Sequence, residues 1–153
     1  MEVRVATLSD AEALCPLLTE FFAYNANLQP LYCHADNEDG EYPKTVIGKT
    51  DADFIIAVEN GIALGFIHIN QMKTPPYGSV VPHNYAEIMA FMVTESRREE
   101  GIGEKLIEAS KKWSKERNLD YIELISFINA GKANSFYDNK GFVIESNIRR
   151  YAL

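Results

Sequence analysis

The stretch Glu87-Ile-Met-Ala-Phe-Met-Val-Thr-Glu-Ser-Arg-Arg-Glu-Glu-Gly-Ile-Gly103 starts as an apolar strand that ends at Val93, then crosses a polar turn. Arg98-x-x-Gly101-x-Gly103 next opens an amphipathic helix. Glycines at a strand-to-helix turn let successive backbone N–H groups point at one spot. That spot also lies at the positive end of the helix dipole, so it suits a phosphate group.

Two familiar phosphate loops fail here. A dinucleotide fingerprint needs a third glycine, and Leu106 occupies that position. A P-loop needs Gly-Lys-Ser or Gly-Lys-Thr after the turn, and neither follows. Taken alone, the turn reads equally well as a glycine-rich helix start beside a solvated arginine pair. A second segment, Asn129-Ala-Gly-Lys-Ala-Asn-Ser-Phe-Tyr-Asp-Asn-Lys-Gly-Phe142, changes that balance. Together the two segments resemble the signatures of the GNAT (Gcn5-related) acetyltransferases, Gln/Arg-x-x-Gly-x-Gly/Ala and Asn-x-x-Ala-x-x-Phe/Leu-Tyr-x-x-x-Gly-Phe. Ala133, Tyr137, Gly141 and Phe142 fall in register, and Asn129 stands one residue early.

At 153 residues the chain is expected to form one domain spanning 1–153 with a real core. No run approaches the ~20 apolar residues of a membrane span. Met1-Glu-Val-Arg-Val5 lacks the apolar stretch of a signal peptide. Cys15 and Cys33 make neither a disulfide framework nor a metal site, so a cytoplasmic location is expected. The net charge of −7 argues against nucleic-acid and anionic-membrane partners. Residues 1–60 carry 3 basic and 11 acidic side chains, whereas residues 61–153 carry 12 and 11. An acidic first part favours a cationic amine as acceptor; ordinary solubilising charge is the plain alternative.

Periodicity predicts the elements. Glu2–Thr7 alternates as a strand. A Ser9-x-x-Glu12 capping box leads a helix carrying Leu14, Leu17, Leu18 and Phe21, with Pro16 expected to kink it. Residues 25–49 form an irregular substrate loop with acidic Asp36, Glu38, Asp39 and Glu41 and a short helix near Lys44–Gly48. Asp53–Val58 and Ile62–Met72 flank Asn60-Gly61 as a hairpin. After a Pro/Gly linker come a strand at Tyr85–Val93, a helix from Gly101 to about Asn118, and a strand at Tyr121–Phe127. A helix at Ala130–Lys140 stopped by Gly141 and a final strand at Phe142–Tyr151 complete the chain. The order matches an α/β (α+β) fold of GNAT type, with a mixed, mostly antiparallel central sheet flanked by helices.

The resemblance implies acetyl-CoA as cosubstrate, with no metal. The pyrophosphate lies on amides from Arg98, Glu99, Glu100, Gly101, Ile102, Gly103, Glu104 and Lys105. The two glutamates depart from the small or basic residues usual there, and Arg97, Arg98 and Lys105 offset them. The pantetheine arm bonds to backbone at Met92 and Val93, where a strand splays away and an N–H can hold the oxyanion. Asn129 either holds that arm or caps the following helix. Glu87 takes the place of the general base and Tyr137 that of the general acid. The plain alternatives are a solvent-facing strand-end carboxylate and an aromatic packing residue.

Tyr24, Tyr32, Tyr42 and Tyr77 are candidates for an acceptor pocket or for packing. His34, His68 and His83 read as surface or loop residues, and Ser126 lacks the context of a hydrolase nucleophile. Two other readings of the same fold stand beside direct acetyl transfer to an amine. One is a non-catalytic acyl-CoA-binding module, the other a longer-chain acyltransferase. A homodimer is left open.

Overall fold

The computed structural model describes residues 1–35 and 40–153. Asp36, Glu38 and Asp39, three members of the expected acidic cluster, lie outside the described residues. A short strand, β1 (Glu2–Val5), leads through a 3-10 turn at Leu8–Asp10 into α1 (Ala11–Leu28). The capping box sits two residues earlier than the Ser9/Glu12 pair read from the sequence. Asp10 accepts from the Thr7 N–H at 2.8 Å and from the Thr7 hydroxyl at 2.8 Å. The reason is the guanidinium of Arg4, whose two nitrogens each donate to an Asp10 oxygen at 2.8 Å and so fix that carboxylate at the turn. The same fork holds the Asp10 carboxyl well below the usual carboxylate range. Helix α1 continues on both sides of Pro16.

A short helix, α2 (Tyr42–Val46), begins with Pro43 in its first turn, where a missing N–H costs nothing. Strands β2 (Ala52–Glu59) and β3 (Ile62–Lys73) then form the expected hairpin. Asn60 at φ 51° and Gly61 at φ 78° give the left-handed pair that a tight hairpin turn requires. Strand β4 (Asn84–Val93) pairs antiparallel with β3, and the register slips by one residue at Met89: His68 faces Ala90 and Ile69 faces Ile88. A bulge inverts the alternation of everything beyond it. Accordingly Ala86 and Ile88 pack in one core cluster, whereas Ala90 and Met92 pack in the other.

These clusters are the two faces of a single sheet of order β1-β2-β3-β4-β5, with β5 at Ile122–Leu124. On one face Leu14, Leu17 and Leu18 of α1 and Val46 of α2 cover Phe54, Ile56 and Phe66. On the other, α3 (Ile102–Glu116) lays Ile102, Leu106, Ile107 and Trp113 on Ile55, Ile67 and Ile69. Ala109, expected in that stripe, is half-buried, and Ser110 and Ser114 take buried places instead. Each of the two serines returns its hydroxyl proton to the carbonyl four residues back, at 3.0 and 2.8 Å. A polar clamp fixes α3 to the sheet. The Trp113 indole N–H donates to Asp53 Oδ2 at 2.6 Å, Arg117 donates to the same oxygen at 3.1 Å, and the guanidinium lies 3.9 Å over the indole ring.

The C-terminal third departs from expectation. Strand β5 covers three residues, not the seven of Tyr121–Phe127, because β4 pairs with it only at Ala86–Ile88 before bulging away. Helix α4 (Gly131–Asn139) ends at Gly141, whose φ of 84° makes the expected left-handed stop. The expected strand at Phe142–Tyr151 is absent: beyond Phe142 the backbone makes no ladder among the described residues.

The clamp yields a prediction. Asp53→Ala strands the indole N–H and the Arg117 guanidinium, and is expected to cost about 1–3 kcal/mol. In thermal unfolding that is a fall of roughly 2–4 °C per kcal/mol for a chain of this size. Asp53→Asn keeps an acceptor for Trp113 and should lose less.

Candidate active site

The edge of β4 beyond Ile88 has no strand beside it, because β5 pairs no further. Val93 turns its backbone groups to this open edge, where the resemblance puts a pantetheine arm, whereas the Met92 carbonyl lies on the β3 side, against Gly65. Arg98 uses part of this edge: its Nε donates to the Val93 carbonyl at 3.1 Å, and its Nη2 lies 3.6 Å from Met92 Sδ and 3.4 Å from Glu20.

The turn after β4 runs through a 3-10 segment at Glu95–Arg97 and then two left-handed residues, Glu99 at φ 68° and Gly101 at φ 77°. Gly101 is the N-terminal flank of α3, so the amides of Ile102, Gly103 and Glu104 are the helix's free donors. Lys105 N–H already returns to the Gly101 carbonyl at 3.2 Å. Gly103 has a second reason to be glycine. A Cβ there would stand 3.3 Å from the ring tips of both Phe91 and Phe136. The charges in the turn are paired: Arg97 donates to both Glu100 oxygens at 2.9 and 2.8 Å and to Glu59 at 2.9 Å. Arg97 is therefore committed to neutralising Glu100, and Glu99 and Lys105 are exposed.

The register of β4 against β3 sets where Glu87 points. Ala86 and Ile88 face α3, so Glu87 faces the α1 side together with its cross-strand neighbour Asn70. On its other flank Glu87 stands opposite Glu123 of β5. Burial first, and the Glu123 charge second, raise the Glu87 carboxyl above its ordinary value. Tyr85 and Tyr121 belong to the same two alternating rows, and their rings stack at 4.9 Å and 13°. Two carboxylates and two stacked phenol rings thus share one patch.

Next to this patch a cavity of about 310 Å³ opens between α2 and the sheet, lined by Tyr42, Lys49, His68, Asn70, Gln71 and Met89 among others. A larger hollow of about 500 Å³ is formed by residues of the linker 73–84 alone and holds none of the motif residues. His68 does not lie on the surface as the sequence suggested. It is 5% exposed on β3, stacked 4.9 Å over Phe54, with Nδ1 hydrogen-bonded to the Tyr42 hydroxyl. Burial pushes its imidazole down to about 4, so the ring is neutral at pH 7. Neither Nε2 nor Asn70 Oδ1 has a partner among the described residues. The sequence signal was the alternation Phe66-x-His68-x-Asn70 within a strand buried on both faces. His83, also read as unpaired, bonds Asp120 at 2.9 Å.

Tyr137 lies on α4 between Phe91, Phe136 and Phe142, with ring centroids 6.3, 5.7 and 5.8 Å away. Burial first, and Tyr24 second, push its phenol up to about 12. Asn129 does not cap α4, whose flanking residue is Ala130. Its amide donates to the Leu28 carbonyl at 2.8 Å and accepts from Gln29 at 3.3 Å, tying the end of β5 to the end of α1. Asn134, unremarked in the sequence, holds the start of α4 instead, donating to the Phe127 carbonyl at 2.9 Å and accepting from Ser126.

The fold has counterparts among known proteins. A relative from Bacillus subtilis (strain 168), the uncharacterized N-acetyltransferase YhfO, is 24% identical over 155 residues, covering 100% of this chain and 97% of that one. The tetramutant of the BH1408 protein from Bacillus halodurans superposes with a TM-score of 0.92 at 20% identity, covering 100% of both chains. The aminoglycoside N-acetyltransferase AAC(6')-Iy, solved with CoA, gives 0.73 at 16% identity over 99% of this chain and 93% of its own. The acetyltransferase (GNAT) family model matches residues 11–142, from the start of α1 to the Gly141-Phe142 that ends the second motif. The chain belongs to the GNAT acetyltransferase family.

Proposed function

We propose that residues 1–153 act as a single N-acetyltransferase domain that moves an acetyl group from acetyl-CoA directly to a cationic amine in a ternary complex. The observation that carries the acceptor class is the patch at the β4–β5 junction, where Glu87 and Glu123 stand side by side under the Tyr85–Tyr121 stack. Paired carboxylates beside aromatic faces favour an ammonium group. One of the neighbours in fold is named as an aminoglycoside N-acetyltransferase, in keeping with an amine acceptor.

A primary amine with a pKa of about 10.4 must lose a proton before it attacks, at a cost of about 4–5 kcal/mol at neutral pH. Glu87, half-buried and with a raised pKa, accepts that proton. The amine nitrogen adds to the thioester carbonyl, and a backbone N–H on the unpaired edge of β4 holds the oxyanion. As the C–S bond breaks, Tyr137 donates its phenolic proton to the departing thiolate, and the second proton that the nitrogen sheds as the amide forms restores the phenol. With a pKa of about 12 the phenol stays protonated throughout the working range, so transfer accompanies bond cleavage and does not precede it. The pyrophosphate rests on the amides of Gly101–Glu104, with Arg98 and Lys105 as flanking cations.

The second reading of the fold is an acyl-CoA-binding module without catalysis. The pairing of Arg97 with Glu100 and Glu59 and of Arg98 with Glu20 tempers phosphate affinity in both readings, so turnover and not binding distinguishes them. Calorimetric titration with acetyl-CoA, followed by a screen of amines for CoA release, separates the two. The transferase reading expects micromolar binding and turnover; binding without turnover on any amine leaves the module.

Two sets of variants test the residues. Gly103→Ala and Gly103→Pro bring the same Cβ toward Phe91 and Phe136, but only proline removes the N–H. Acetyl-CoA affinity should fall at least tenfold further in the proline variant, the worth of one hydrogen bond to a charged group, about 1.5–3 kcal/mol. Glu87→Gln should lower kcat by about 10²–10⁴ with coenzyme binding intact. In the parent protein kcat/KM should rise with pH through an apparent pKa above the ordinary carboxylate value, and Glu87→Gln should erase that limb. The sign for stability is opposite. A carboxylate whose pKa is raised by folding destabilises the fold once both states are ionised. Glu87→Gln should therefore raise Tm at pH 7 while it lowers the rate.

A further inference from the structure

Two arginines stand side by side in the turn before α3, and they are held differently. Arg97 is fixed: its Nε donates to both Glu100 oxygens at 2.9 and 2.8 Å, and its Nη2 to Glu59 at 2.9 Å. Arg98 is held loosely. Its Nε donates to the Val93 carbonyl at 3.1 Å, and its Nη2 reaches one carboxylate, Glu20, at 3.4 Å. That Nη2 also lies 3.6 Å from Met92 Sδ, so the guanidinium runs along the end of β4 and across to α1. Glu20 does not depend on Arg98 for its own place. The same oxygen accepts the Glu95 N–H at 2.8 Å, a shorter bond that anchors the carboxylate to the 3-10 turn.

This geometry sets two uses of one carbonyl in competition. Val93 lies on the edge of β4 beyond the last residue that β5 pairs, where a pantetheine amide would find its acceptor. In this structure Arg98 already occupies that acceptor. A pyrophosphate seated on the amides of Ile102, Gly103 and Glu104 offers the guanidinium two phosphates. Against them stand one long carboxylate contact and one neutral carbonyl. Arginine bonds to phosphate are charge-assisted, commonly bidentate and roughly twice as strong as neutral ones, so the exchange runs toward the coenzyme. We propose that Arg98 is a bar across the pantetheine groove, that Glu20 is the positioning residue that holds it there, and that the coenzyme's pyrophosphate draws it aside. The Val93 carbonyl then passes from the guanidinium to the arm, one hydrogen bond replacing another. The bar rests on the coenzyme-binding half of the reading above and is indifferent to turnover.

Calorimetric titration of the full chain with acetyl-CoA, on the parent, Glu20→Gln, Arg98→Met and the double variant, tests the bar. Glutamine keeps an oxygen for the Glu95 N–H and removes only the charge that holds Arg98. Glu20→Gln should therefore bind acetyl-CoA about two- to fivefold more tightly, the range of an exposed ion pair. A carboxylate that merely supports the turn, or aims Arg98 at the phosphates, gives the opposite sign. Plain repulsion between Glu20 and the phosphates gives the same sign, and Arg98→Met separates it. With no guanidinium to hold, the gain from Glu20→Gln should be smaller than in the parent. Under repulsion alone the unpaired carboxylate makes that gain as large or larger. Unchanged or weaker binding by Glu20→Gln overturns the bar, as does an equal or greater gain in the Arg98→Met background. In either case binding by the parent leaves the coenzyme reading standing. No binding by the parent or any variant overturns that reading and the bar together.

Discussion

The parting of β4 from β5 is the constraint on which the rest of this structure depends. Three residues pair, Ala86–Ile88 with Ile122–Leu124, and then the bulge at Met89 turns β4 away. A strand that loses its neighbour leaves N–H and C=O groups that must find other partners. Here those groups are bounded on one side by the α3 terminus and on the other by the α4 aromatics. The same bulge inverts the side-chain alternation, so that one strand feeds both cores. Remove the bulge and Glu87 keeps its place while Ala90 and Met92 exchange cores with Phe91 and Val93; the strand then no longer fits its neighbours.

Around that gap the charges are arranged in two different ways. In the turn that leads to α3, each arginine is set against a carboxylate: Arg97 with Glu100 and Glu59, Arg98 with Glu20. At the β4–β5 junction the reverse holds, and two carboxylates face one another without a cation between them. Surface ion pairs of the first kind contribute little to stability. The second arrangement has a cost in the empty site, which a cationic ligand relieves. Glu87 belongs to a strand that is otherwise apolar, and its raised pKa records that cost.

The neutral His68–Tyr42 pair adds a polar element inside the cluster that α1 and α2 cover. An imidazole stacked on Phe54 and bonded to a buried phenol ties α2 to β3 at the mouth of the cavity beside the patch. Among the described residues its Nε2 remains unbonded, and an unsatisfied buried polar atom is expensive. The α2 segment is thus held by one directional contact in addition to the burial of Pro43 and Val46.

What the sequence by itself determined is local. Glycine at 61, 101 and 141 announces left-handed backbone because a Cβ is strained there, and all three positions adopt it. Asn60-Gly61 specifies its hairpin, and the 3.6-residue period of Ile102, Leu106 and Trp113 specifies the buried face of α3. The two glycine-bearing motifs, in order, were enough for the family. What tertiary structure decided is everything that joins distant segments. Glu87 and Glu123 are 36 positions apart and meet only through a parallel register. The cap moved from Ser9 to Thr7 because Arg4 on β1 fixes Asp10. Asn129 was drawn off α4 by the end of α1, and His68 was buried by strands on both sides. The segment after Phe142 reads as a strand in the sequence, but apolar residues in a local pattern state only that they want cover. Which backbone supplies the ladder is a question of what lies within reach in space, and no local pattern contains that.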